Sequence, residues 1–119
     1  MTKKKLEYLI DSDDMFFILA AIRSAAMNDV EYMRKICLKM IAEGEEDWQK
    51  CIECYTNTTE SYKGIHDRLA NQWKRHSGGE RREQIEYMKE IFGNVRDTLN
   101  DYKEEIEKAA RERDGQDII

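Results

Sequence analysis

The chain of 119 residues contains no proline and only six glycines. Strand-rich folds of this size need both residues at their turns, so their scarcity argues against a sandwich or barrel. Histidine is limited to His66 and His76, which leaves little general acid–base capacity outside the carboxylates. Cysteine occurs three times, an odd count that does not read as a disulfide framework and suits a reducing compartment. The signatures of common chemistries are missing as well. There is no Glu-x-x-His pair of a di-iron bundle, no His-Glu-x-x-His, no P-loop and no Gly-x-Ser-x-Gly. The expectation is a non-enzymatic protein with no cofactor and no small-molecule substrate.

Long apolar runs are also lacking. The longest, Met15 to Met27, spans thirteen positions, short of the ~20 that a membrane-spanning helix needs. Met1-Thr-Lys-Lys-Lys is basic, but Glu7, Asp11, Asp13 and Asp14 interrupt the part that a secretory leader requires apolar. Asn57-Thr58-Thr59 is a glycosylation sequon in form only. The chain reads as cytoplasmic, with no membrane contact. Its net charge of −5 favours solubility and argues against a general nucleic-acid binder.

What the chain does contain is helix formers: Glu, Lys, Arg, Met, Leu and Ala are all common. Asp11-Ser12-Asp13-Asp14 suits a helix start, because short polar side chains cap free N–H groups and acids complement the positive end of the dipole. A first helix is predicted from about Asp13 to Glu43, with a stripe of Met15, Leu19, Ile22, Ala26, Val30, Met33, Cys37 and Met40. Asn28-Asp29-Val30-Glu31 resembles an internal capping box, a possible break. Gly44 is a natural stop, and Glu45-Glu46-Asp47 reads as the acidic first turn of a second helix ending near His76. Its predicted seam is Trp48, Cys51, Tyr55, Thr58, Tyr62, Ile65, Leu69 and Trp73, weakest at Thr56-Asn57-Thr58-Thr59.

Ser77-Gly78-Gly79-Glu80 forms the second turn signal, with Ser77 and Glu80 spaced as a capping box. A third helix is predicted from about Gly79 to Arg113 on a seam of Ile85, Met88, Phe92, Val95, Leu99, Tyr102, Ile106 and Ala109. Residues 1–12 form an N-terminal arm or short helix, 13–114 the helical domain and 115–119 a loose tail. Helices of ~30 residues joined by short turns lie antiparallel. The predicted fold is therefore all-α, an elongated up-down-up three-helix bundle.

Five features of this bundle are candidate sites. Met15–Met27 carries one charge, Arg23, in a chain that is 38% charged. A three-helix bundle cannot cover every side of it, so Phe16, Phe17, Ala20, Ala21 and Met27 are predicted to form an interface; the alternative is that the arm covers them. The turn after helix two clusters Trp73, Lys74, Arg75, His76, Arg81 and Arg82. Cationic groups beside a helix start suit phosphate, and Trp73 could stack on a base; the plainer reading is a complemented dipole and a core Trp. Glu43, Glu45, Glu46 and Asp47 make the opposite end acidic, a surface for a basic partner or simply a solvated face. Reflection about the two turns places Ser24, Gly64 and Gly93 at one height, a waist that something could approach closely. Cys37, Cys51 and Cys54 include one CxxC and face each other across the first hairpin, but they lack a fourth zinc ligand.

The function predicted from these features is a helical interaction or adaptor protein, self-associating through its first helix as a homodimer or larger assembly. One alternative is an accessory nucleic-acid- or nucleoprotein-binding subunit that uses the basic tip. Another is an acidic inhibitor that imitates nucleic acid.

Overall fold

The structure is a computed structural model that describes residues 11–77 and 81–115. Most of the predicted arm, the Gly78–Glu80 segment with its capping box, and the last four residues of the tail lie outside the described residues.

Four helices follow one another: α1 (Ser12–Ala42), α2 (Trp48–His76), α3 (Arg82–Ile91) and α4 (Gly93–Arg113). α3 and α4 are two segments of one bent leg, so the architecture is the predicted up-down-up bundle with a bent third member. It is elongated, 62 × 36 × 19 Å. α1 packs against α2 and α4, while α3 lies against α2.

α1 begins where the acids predict. Asp11 is its N-cap and accepts from the Asp13 amide at 3.2 Å, with Asp13 and Asp14 in the first turn. Ser12 thus belongs to the helix rather than the arm. Gly44 ends α1 at φ +80°, the left-handed region that glycine enters without penalty. The Glu45 amide returns to the Met40 carbonyl and the Gly44 amide to the Ile41 carbonyl, the paired bonds of a Schellman stop.

Two expectations need correction, and one possible break does not occur. The capping-box pattern at Asn28 does not interrupt α1, which is continuous to Ala42. The capping pattern loses because Val30 and Met33 are fully buried in the core and hold the segment helical. Glu45, Glu46 and Asp47 precede α2 rather than forming its first turn, since the helix starts at Trp48. The third helix is not continuous: it bends at Phe92, and Gly93 opens α4. Glycine is among the recognised causes of a sharp helix bend.

The Thr-rich segment of α2 is helical throughout. Thr56, Thr58, Thr59 and Ser61 each donate a side-chain hydroxyl to the carbonyl four residues back. This satisfies the hydroxyls without taking the ladder's amides.

The seam of α2 is shifted by one residue from its predicted course. Ile52, Thr59, His66 and Trp73, seven apart, are all buried. Ile65, placed in the seam by its hydrophobicity, is 42% exposed, and Cys51 and Thr58 are half-buried. At the C-terminal ends of the other seams Ile41 replaces Met40 and Ala110 replaces Ala109 as the buried residue.

The core is in two parts. One cluster joins Met15 and Leu19 of α1, Ala70 and Trp73 of α2, and Ile85 and Met88 of α3. The other runs from Ala26 to Ile41, through Trp48 and Ile52, to Phe92 and the seam of α4. His66 lies between them in the chain order of α2, and the bend of the third leg comes at the same level.

Outside the core, charged side chains tie the legs together. Arg34 donates twice to Glu105, at 2.8 and 2.6 Å, and lies over the Tyr102 ring. Arg96 grips Glu60 in the same fashion, and Lys74 meets Glu86 at 2.8 Å.

Candidate functional site

The face of α1 that the bundle leaves open is built by helical spacing. Phe17, Ala21, Ser24 and Asn28 recur at threes and fours, and all four are exposed. Phe17 is 69% exposed and Phe16 37%, their rings edge to face at 5.7 Å. Of the other predicted interface residues, Ala20 is half-buried and Met27 packs against the core. The one charge of this stretch, Arg23, is turned inward. The open face from Phe17 to Asn28 therefore carries no charge.

Arg23 goes to a buried polar layer that sequence reasoning missed. Its guanidinium Nη1 lies 3.0 Å from His66 Nε2. A guanidinium can only donate, so Nε2 accepts. The neutral imidazole then carries its proton on Nδ1, which donates to Asp67 Oδ1 at 3.3 Å. Asp67 is held in turn by Lys63, and the imidazole rests on the Phe92 ring, centroids 5.2 Å apart.

His66 is fully buried. Burial lowers its pKa; the Asp67 bond works against that shift, and the Arg23 charge adds to it. Burial also lowers the Arg23 pKa. For Asp67, burial pushes the carboxyl up, but the bonds from Lys63 and His66 more than offset it and its pKa falls. The layer is thus a neutral imidazole sealed between a donor and an acceptor. A ring with no exposed atoms and both nitrogens engaged does not transfer protons to a substrate. Arg23, His66 and Phe92 come from three legs and meet at this one level. The available signal was the seven-residue recurrence Ile52, Thr59, His66, Trp73; its two polar members hid it from a reading based on hydrophobicity.

The basic tip is partly consumed by the fold. Trp73 is 4% exposed and the Arg81 guanidinium lies over its ring, so it cannot stack on a base as the sequence suggested. Arg81 also reaches Asp13 at 3.8 Å, and Lys74 is paired with Glu86. Arg75, His76 and Arg82 are exposed. Glu86 has a lowered pKa because Lys74 donates to it and Lys89 lies near.

The acidic end is similarly mixed. Glu43, Glu45, Glu46 and Asp47 are exposed, but Arg113 reaches Glu46 at 3.7 Å and Lys50 reaches Asp47 at 3.6 Å.

The cysteines sit as the hairpin predicted, Cys37 buried beside the half-buried Cys51, with Cys54 exposed. Burial, with Cys51 close by, pushes the Cys37 thiol up to about 12. A thiol so protonated is a poor nucleophile or ligand. Among the described residues no three His, Cys, Asp or Glu side chains form a group that could hold a metal, Cys37, Cys51 and Cys54 included.

The predicted height of Ser24, Gly64 and Gly93 agrees with the Arg23–His66–Phe92 contacts one or two residues away. Neither glycine marks a close backbone approach, however. A Cβ at Gly93 meets nothing within 4 Å, and one at Gly64 meets only the end of Arg68.

Among the described residues, no helix is long and apolar enough to cross a membrane. No family model, curated protein or solved structure matches the chain.

Proposed function

We propose that the protein is a non-enzymatic helical interaction protein that self-associates through the open face of α1. The observation that carries this reading is the uncharged strip from Phe17 to Asn28, headed by a phenylalanine that is 69% exposed. Phe16 and Phe17 stand together on this surface, and adjoining exposed aromatics mark contact sites. Here the only charge of the stretch is spent on His66, which leaves the strip uncharged. The three free cysteines fit a cytoplasmic setting for this contact.

Light scattering at low and high salt tests it. We expect a dimer or larger species at both salts, since apolar association is not weakened by screening. The Phe17→Glu variant is expected to be a folded monomer, because Phe17 contributes little to the core. A monomeric parent chain, or a Phe17→Glu chain that still assembles, refutes the reading. The basic tip is the weaker alternative, since Trp73 is buried and both Lys74 and Arg81 are already paired.

A further inference from the structure

The open face of α1 has a charge order along its length. At its start stand Asp13 and Asp14, both exposed, Asp13 with Arg81 of its own chain 3.8 Å away. The uncharged strip follows. Beyond it Lys35 and Lys39 are exposed, with Glu31 four residues before Lys35, the favourable orientation for an intrahelical pair. Asp13 and Lys35 are each eleven residues from Ser24, about 16 Å along the helix.

That order is self-complementary in one direction only. Laid parallel, two copies set Asp13 and Asp14 against themselves and Lys35 against Lys35. Laid antiparallel about Ser24, Asp13 of each α1 comes level with Lys35 of the other. A two-fold contact repeats every pairing twice, so both ends of the seam gain. The centre of the seam is Ser24 against Ser24 with Ala21 beside it, small enough for two helices to approach closely. Phe17, seven residues from the axis, comes level with Glu31 of the second copy, one turn beyond that copy's uncharged strip.

We infer that a second copy of this chain docks antiparallel along the outer face of α1, about a two-fold axis at Ser24, with Asp13 of each copy level with Lys35 of the other, Asp14 beside it and Lys39 one turn beyond. The inference rests on the self-association reading above and adds to it the partner's direction and register.

Charge reversal tests the direction. The chains Asp13→Lys/Asp14→Lys and Lys35→Glu/Lys39→Glu each place like charges at both ends of an antiparallel seam. Each is expected to dimerise at least about tenfold more weakly than the parent. Mixed together they place opposite charges at both ends, and the mixture is expected to recover heterodimers of near-parent affinity in sedimentation velocity. A mixture that does not recover overturns the antiparallel register. So does a pairing of Asp13→Lys/Asp14→Lys with the parent chain that is tighter than the parent's own, which a parallel seam requires.

Cross-linking gives a second readout that does not depend on reversing charges at a helix start. In a Cys51→Ser/Cys54→Ser chain, Asp13→Cys mixed with Lys35→Cys is expected to yield a dimer with a short bismaleimide. Either chain alone is expected to yield none, because like positions lie far apart across the axis. Cross-linking of Asp13→Cys to itself refutes the arrangement while leaving self-association through α1 standing. A monomeric parent, or a parent whose assembly ignores Phe17→Glu, overturns the underlying reading instead, so the two failures are distinguishable.

Discussion

Replacing His66 by glutamine should flatten the dependence of stability on pH. In the folded chain His66 has no exposed atoms, with the Arg23 guanidinium against Nε2 and Asp67 against Nδ1. The charged groups facing it are Arg23 from α1 and Asp67 and Lys63 from its own helix; the third leg presents the Phe92 ring. A proton on Nε2 would set two cations together and break the Arg23 bond. The folded pKa is therefore lowered, with burial the largest cause.

In the unfolded chain the same imidazole titrates near pH 6.5. Between the two values the unfolded state binds more protons, so stability rises with pH there. The contribution is complete above about pH 6.5 and is lost as pH falls from there through the lowered folded pKa. The ceiling follows from one proton: with the folded ring neutral throughout, lowering the pH from 7.5 to 5.5 costs about 1.4 kcal/mol.

Glutamine offers an acceptor to Arg23 and a donor to Asp67 but does not titrate. Its own stability is expected to be lower than the parent's, since it loses the stacking on Phe92. The discriminating quantity is the slope. Urea unfolding at a series of pH values should show the parent losing up to about 1.4 kcal/mol more than His66→Gln over that interval. Equal slopes, or a parent that gains stability on acidification, refute the assignment of a neutral, Nδ1-protonated His66.

Two further predictions concern the bend and the thiols. Gly93 has open space around its Cβ position and no positive φ, so Gly93→Ala should stabilise the chain by about 0.5–1 kcal/mol in urea unfolding; destabilisation means that the bend needs glycine. The cysteines should react with a thiol reagent in order of exposure, Cys54 first, then Cys51, and Cys37 only on unfolding, because its thiol is buried and raised to about 12. Peptide mass mapping over time reads the order, and early labelling of Cys37 in the folded chain contradicts it.

The all-helical class, the number of legs and the two ends of α1 were legible in the residues. Local chemistry decides them: no proline, an Asp cap at residue 11, and Gly44 in the left-handed region. The uncovered start of α1 was legible in part: Phe16, Phe17 and Ala21 are exposed, whereas Ala20 and Met27 are half-buried. What was not legible was which edge of a broad stripe faces inward. Trp73 and Arg81 looked like a place for a ligand and are instead packed against each other. The α2 seam could run through Ile65 or through His66, one residue apart, and hydropathy favours the isoleucine.

Sequence alone thus determined the elements and their antiparallel order, since turns, caps and periodicity act over a few residues. Tertiary structure alone decided the buried polar layer, the bend at Phe92 and the inward turn of Arg23. These depend on partners far apart in the chain: burying His66 is tolerable only when a donor forty-three residues away meets its free nitrogen. The energy of a buried polar group is set by whether that partner arrives, which no local pattern records.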